Sequence, residues 1–240
     1  MSGWNPWHGC TKVGEGCRNC FLGVEAANGA CVLARNRDFD LPVRRDNRNR
    51  YILQNDGDYV YTCFTSDFLH PQADVWRPAV WQFMRERTDL NFLFLTKRIN
   101  RFYAGLPFDW DEGYENVSIG CSCEDERSAR ARLPVFFEAP IAHRFLVFQP
   151  LLEPINIEPY LLQYGSDSIR GVVCGGEGGA NARLCDFSWI LSLRAQCEKF
   201  HIPFRFKQTG AFFRKDGTCY HLSKPMQLRQ AAKADIDLYY

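Results

Sequence analysis

NVSIGCSCEDERSARARLPVFFEAPIAHRFLVF, residues 116–148, contains two apolar runs separated by one charged stretch. NVSIGC (116–121) and HRFLVF (143–148) are continuous apolar segments of strand length. Between them, Glu124 to about Phe137 has the composition of a helix. A strand that is apolar without alternation is one covered on both faces, as in a parallel sheet flanked by helices. Strand, helix and strand at this spacing predict a parallel crossover unit. The rhythm extends in both directions. Upstream, YVYTCF (59–64) and NFLFLT (91–96) read as strands, with a helix from about Asp74 to Arg87 and a short one near Ile99 to Ala104. Downstream, RGVVCGG (170–176) and PFRFKQ (203–208) read as strands, with a short helix near Pro159 and a longer one from Ser188 to Phe200. A first helix is expected from near Arg18 toward Arg35. The expected class is α/β with about six to seven parallel strands. Short of eight units, a partial (β/α) barrel is the first expectation and a doubly wound sheet the second. Residues 1–208 would form this domain, with an irregular insertion at about 36–58. Residues 209–240 would be a C-terminal extension packed on the same domain, with a hairpin turn at Asp216-Gly217.

Of the 240 residues, 46% are hydrophobic and 15% aromatic, which excludes a disordered chain. The net charge of +1 neither demands nor excludes nucleic acid, because a basic face can hide in a balanced total. The opening residues lack a basic start followed by an apolar run, and no segment reaches the roughly 18 apolar residues of a membrane helix. A cytoplasmic protein without membrane contact is therefore expected. The eleven cysteines, an odd number, point away from a disulfide framework. Cys63, Cys121, Cys123 and Cys174 sit in or beside apolar runs and read as small core residues.

HGCTKVGEGCRNC (8–20) is different, with three cysteines and a histidine in thirteen residues. The spacing is C-x6-C-x2-C. Cys17 and Cys20 can reach one metal or cluster, and the glycines at 9, 14 and 16 let the chain fold Cys10 back toward them. Lys12 and Arg18 would favour thiolates. The residues alone leave three readings open: a zinc site with His8 as fourth ligand, a four-iron cluster with one iron open, or unligated thiols.

In α/β folds active sites gather at the carboxyl ends of strands. Those ends carry Ser66-Asp67, Thr96-Lys97-Arg98, Ser122 with Glu124, Gln149, Gly176-Glu177, and Lys207-Gln208. Helix capping and plain turns are the competing readings for Ser66, Asp67, Ser122 and Glu124. Arg44, Arg45, Arg48 and Arg50 beside Tyr51 form a basic run. It reads either as a phosphate contact or as a solvated loop balanced by Asp38, Asp40 and Asp46.

WNPWHGCTKVGEGCRNC (4–20) resembles the opening of the phage-type three-Cys-motif proteins, a radical-SAM-like family. The resemblance continues in order through TSDFLH (65–70), FLTKR (94–98), NVSIGCSCEDE (116–126), RFLVFQPLLEP (144–154), VCGGEGGANAR (173–183) and PFRFKQTG (203–210). It implies a partial (β/α) barrel with a 4Fe–4S cluster on Cys10, Cys17 and Cys20, and S-adenosylmethionine on the unique iron. An external electron donor such as a flavodoxin would feed the cluster. Cleavage would yield a 5′-deoxyadenosyl radical that abstracts hydrogen from substrate. Ser66, Asp67, Thr96, Lys97, Ser122 and Glu124 are then the candidate cofactor contacts. Glu177 and Lys207 are the candidate catalytic residues, and Arg44, Arg45, Gln149, Gly176 and Gln208 the candidate substrate contacts. Gln149 stands where the family block carries an acid, and Gly178 where it carries serine, which points to a different substrate. The resemblance implies a modified nucleobase in phage-type DNA, with thymine hypermodification or isomerisation as the chemistry. A peptide or small-metabolite substrate, and a non-catalytic zinc or iron–sulfur module, are the alternatives.

Overall fold

The computed structural model describes residues 2–20, 22 and 33–240. The elements run β1 (Ser2–Trp4), β2 (Trp7–His8), β3 (Ala34–Arg35), β4 (Tyr59–Thr62), α1 (Arg77–Glu86), β5 (Asn91–Thr96), β6 (Val117–Ser122), α2 (Glu126–Glu138) and β7 (His143–Phe148). They continue as α3 (Glu158–Tyr164), β8 (Ile169–Gly175), β9 (Cys185–Asp186), α4 (Phe187–Lys199), β10 (Phe204–Gln208), β11 (Phe212–Lys215), β12 (Thr218–His221) and α5 (Lys224–Ala234). The class is α/β, as the apolar runs require. One seven-stranded sheet has the order β1-β4-β5-β6-β7-β8-β10. The pairs β1–β4, β4–β5, β7–β8 and β8–β10 are parallel. Strand order follows chain order without the reversal that defines a doubly wound sheet, so the second fold expectation is set aside.

The chain divides into two compact units. The first comprises Met1–Val13, Phe21–Gly120 and Ala139–His143. Here β1, which carries one apolar residue at its end, pairs parallel with β4 through Ser2↔Val60 and Trp4↔Thr62. α1 connects β4 to β5, with Pro78 in its first turn, where a missing N–H costs nothing. The core is aromatic. Phe68 stacks on Phe94 at 4.1 Å and meets Trp81 at 4.8 Å, while Trp4 lies edge-on to Phe92 at 5.7 Å. Two buried arginines order the loops. Arg77 donates to the carbonyls of Phe68, His70 and Ala104. Arg87 donates to the carbonyls of Pro42 and Leu53, and so holds the irregular 36–58 segment against the end of α1.

The second unit comprises Gly14–Cys20, Cys121–Glu138 and Arg144–Tyr240. β8 pairs with β7 on one side and β10 on the other, and Val172, Leu146, Phe148 and Phe204 are buried among them. Asp186 caps α4 by accepting from Ser188 N at 2.8 Å. β11 and β12 form the expected hairpin, and both turn residues adopt positive φ (Asp216 50°, Gly217 76°), as a tight two-residue turn demands. α5 packs on β10.

Two sequence expectations need correction. Ala34 and Arg35 are not the end of a helix but β3, pairing antiparallel with His8 and Trp7. Glu15–Cys17 is a single 3-10 turn. Most of the helix expected from Arg18 to Arg35 lies outside the described residues. The short helix near Ile99 reduces to a 3-10 turn, Ile99–Arg101. Among the described residues no helix is long and apolar enough to cross a membrane.

Candidate functional site

The polar strand ends of the first unit converge on Asp67, which is buried after β4. Its carboxylate accepts from Thr96 Oγ1 at 2.8 Å, Lys97 N at 3.0 Å and Leu69 N at 2.9 Å, and pairs with Arg98 at 3.0 Å. Arg98 is also buried. Its second amine donates to Thr11 O at 2.7 Å and Thr11 Oγ1 at 2.9 Å, and its first lies 3.6 Å from Cys10 Sγ. Ser66 donates to Gly9 O, and His8 Nδ1 meets Thr65 Oγ1 at 2.6 Å. Ser66, Asp67, Thr96 and Lys97 are thus brought together as a cradle for the chain at Cys10.

His70 completes this cradle. Its Nδ1 accepts from Gln72 N at 3.2 Å, so Nε2 carries the proton that faces Thr11 Oγ1 at 3.0 Å. Burial, and next the positive charge of Arg98, push this imidazole down to about 4. It is neutral at pH 7.

In the second unit two buried carboxylates hold the loop that bears Cys17 and Cys20. Glu124, 1% exposed, accepts from Gly16 N at 3.1 Å and pairs with Arg132 at 2.7 Å. A Cβ on Gly16 would come within 2.7 Å of Glu124 Cδ, so the loop approaches this closely only because residue 16 is glycine. Glu177 accepts from Asn19 Nδ2 at 3.0 Å, from Arg183 N at 3.0 Å, and from the Arg183 guanidinium at 2.9 and 2.7 Å. Arg183 in turn donates to Glu15 O at 2.8 Å. Burial alone would raise the Glu177 carboxyl, but the Arg183 hydrogen bonds and Asn19 outweigh it and hold it below the usual range. Cys17 is buried and Cys20 half-buried.

The remaining candidates divide. Ser122, buried at the end of β6, gives its carbonyl to Arg132. Lys207 in β10 donates to Gln149 Oε1, just past β7, at 3.1 Å, which joins two candidates across the intervening β8. Gln208 and Gly176 bind each other through Gln208 Nε2 to Gly176 O at 2.9 Å and Gly176 N to Gln208 O at 3.1 Å. A Cβ on Gly176 would lie 2.3 Å from Thr209 O, so this glycine permits close strand packing. Arg44 pairs with Asp38 at 3.0 Å and with Asp40. Arg45 lies over the Tyr51 ring at 3.8 Å, with Arg87 over the same ring at 4.0 Å. Both arginines are engaged inside their own loop.

None of the ten described cysteines is in a disulfide. Among the described residues no three His, Cys, Asp or Glu side chains are placed to hold one metal ion. A four-iron cluster sets a different requirement, because its three thiolates bind three separate irons.

A family model matches residues 1–237. The chain belongs to DUF5131. That family is described as a protein of unknown function, and no curated protein and no solved structure matches the chain. In this DUF5131 member, sequence reading missed Asn19, Arg132, Arg183, Thr11 and His70. Arg183 ends the VCGGEGGANAR block and Asn19 lies between two cysteines. Asn19 meets Glu177 158 residues away and Arg183 meets Glu15 168 residues away, contacts that only the fold makes, whereas Arg183 and Glu177 are six residues apart.

Proposed function

We propose that this DUF5131 member is a radical S-adenosylmethionine enzyme built on a partial (β/α) barrel, with Cys10, Cys17 and Cys20 holding a 4Fe–4S cluster. The observation that carries this reading is what surrounds the C-x6-C-x2-C segment. Two buried carboxylates, Glu124 and Glu177, serve the short loop with Cys17 and Cys20, and a buried guanidinium stands against the sulfur of Cys10. Loops without a task rarely recruit buried charges, because each costs several kcal/mol to desolvate, on the order of 3–5 if left unpaired. The donor set suits the group: three thiols in no disulfide, with positive charge beside one of them.

When bound, such a cluster supplies the electron that cleaves S-adenosylmethionine and so makes an inert C–H bond reactive. The chain's own residues position and shield. Asp67, held by Thr96 and Lys97, fixes Arg98, and Arg98 fixes Thr11 beside Cys10. Arg183 and Asn19 fix the carboxylate of Glu177, which therefore acts as an anchor for the loop. Lys207 and Gln149 form a polar pair that spans the ends of β10 and β7 across β8, suited to an oxygen-bearing substrate. The substrate half of the reading, a modified nucleobase in phage-type DNA, rests on the sequence resemblance.

Anaerobic purification tests the proposal. A brown protein with broad absorption near ~400 nm, about four irons per chain, and release of 5′-deoxyadenosine from S-adenosylmethionine would support it. A colourless protein carrying one zinc would overturn it. Cys17→Ala should abolish both iron loading and cleavage.

A further inference from the structure

The C-terminal extension carries a small excess of basic residues. Residues 209–240 hold five Lys and Arg (Arg214, Lys215, Lys224, Arg229, Lys233) against three acids, Asp216, Asp235 and Asp237, in a protein of net charge +1. Between this extension, β10 and the start of α4, a cavity of about 500 Å³ opens, bounded by the β11–β12 hairpin and α5. Three rings form one corner: Phe187 lies 6.1 Å from Phe206 and 5.9 Å from Phe213, and Phe206 lies 6.3 Å from Phe213. Tyr220, 44% exposed, adds a fourth ring at the rim. Lys215 and Lys233, both exposed, also line the cavity, and neither has an ion-pair partner among the described residues. Lys215 Nζ sits 5.0 Å over the Phe187 ring. No acidic side chain lines the cavity.

A ligand complementary to this cavity has a flat face for the rings and negative charge for the ammoniums. An uncharged acyl chain would use the apolar wall but leave the Lys215 and Lys233 ammoniums without a countercharge. A nucleobase with its phosphate matches both halves, because base–aromatic stacking and Lys–phosphate contacts are how nucleic-acid pockets divide the work. A duplex presents no base face, and a stacked base would have to leave it. A second cleft of about 510 Å³ shares Leu222 with the cavity and reaches Gly179, Ala180 and Ala182. That segment lies between Glu177 and Arg183, the two residues that hold the Cys17–Cys20 loop.

We infer that this C-terminal pocket binds a nucleobase and its phosphate, supplied either as a free nucleotide or within a single strand. The site is separate from the cysteines and does not depend on the radical reading.

Fluorescence anisotropy with labelled single-stranded oligothymidylate tests it, with the same sequence as duplex and thymidine monophosphate as competitors. The full chain should bind the single strand in preference to the duplex. Lys215→Ala/Lys233→Ala should weaken binding roughly tenfold and flatten its salt dependence, and Tyr220→Ala should weaken it by about fivefold or more. Both changes are on exposed side chains, so circular dichroism should be unaltered. Competition by the monophosphate at the strand's own affinity would identify a nucleotide site, and weaker competition a strand site. Binding should persist in Cys17→Ala, so its outcome is separable from iron loading. Absence of strand and nucleotide binding, equal affinity for duplex, or wild-type affinity in the double lysine variant would each overturn the inference.

Discussion

The backbone N–H of Gly16 donates to the buried carboxylate of Glu124 at 3.1 Å, across 108 residues of chain. This contact fixes where the segment before Cys17 can lie, and it leaves no room for a methyl group. Gly16→Ala should push the loop off Glu124, lowering stability by about 1–3 kcal/mol and reducing iron loading more than Gly14→Ala does. At Gly14 the nearest atom to a new Cβ is Glu124 Oε1 at 3.1 Å, against 2.7 Å to Glu124 Cδ at Gly16. Denaturant melts and iron analysis on both variants measure the difference.

Asp67 and Arg98 are both buried, and each is the other's countercharge. Asp67→Ala should cost about 3–5 kcal/mol, because it strands the guanidinium beside Cys10 without a partner. Adding Arg98→Met should recover part of that loss. The double-mutant cycle in urea is the measurement, and additive losses would show that the pair is not coupled.

His70 makes stability pH-dependent with a definite sign. An ordinary histidine takes up its proton near 6.5, whereas the native His70 resists until about 4. Between those values the unfolded chain binds the proton and the native chain does not. The contribution is therefore complete above about pH 6.5 and is lost as pH falls toward 4, by up to about 3 kcal/mol. Urea midpoints at about pH 7.5 and 5 should diverge in the wild type and converge in His70→Gln.

Arg45 and Arg87 enclose the Tyr51 ring from two sides. Arg45→Ala should cost about 0.5–1 kcal/mol of stability through the lost cation–π contact and leave oligonucleotide affinity unchanged. A large loss of affinity would restore the phosphate-contact reading of this run.

The strands were legible because a buried parallel strand has few alternatives. NFLFLT and HRFLVF appear as β5 and β7 with the same bounds. The hairpin turn was legible because Asp-Gly tolerates positive φ at both positions. Ala34–Arg35 was not, because its strand character comes from pairing with Trp7–His8 and not from its own side chains. In the site, sequence marked the polar residues at the strand ends but not what they do there. Glu177 reads as a reactive acid in a glycine-rich loop until Arg183 and Asn19 are seen saturating it. For Arg44 the sequence leaves a phosphate contact and a loop cation balanced by aspartates both open, and the structure pairs it with Asp38 and Asp40.

The packing at Gly176 also bears on evolution. A side chain there would collide with Thr209 O at 2.3 Å, Cys185 Cβ at 2.8 Å and Gly210 Cα at 2.9 Å. No rotamer relieves a clash made by Cβ itself. Every viable descendant of this fold is therefore confined to one amino acid at that position, whatever substrate it comes to use. Invariance of the second glycine in GGE across DUF5131 would be a record of sterics, and substrate preference has to be sought at neighbours that retain freedom to vary, such as Gln149 and Gly178.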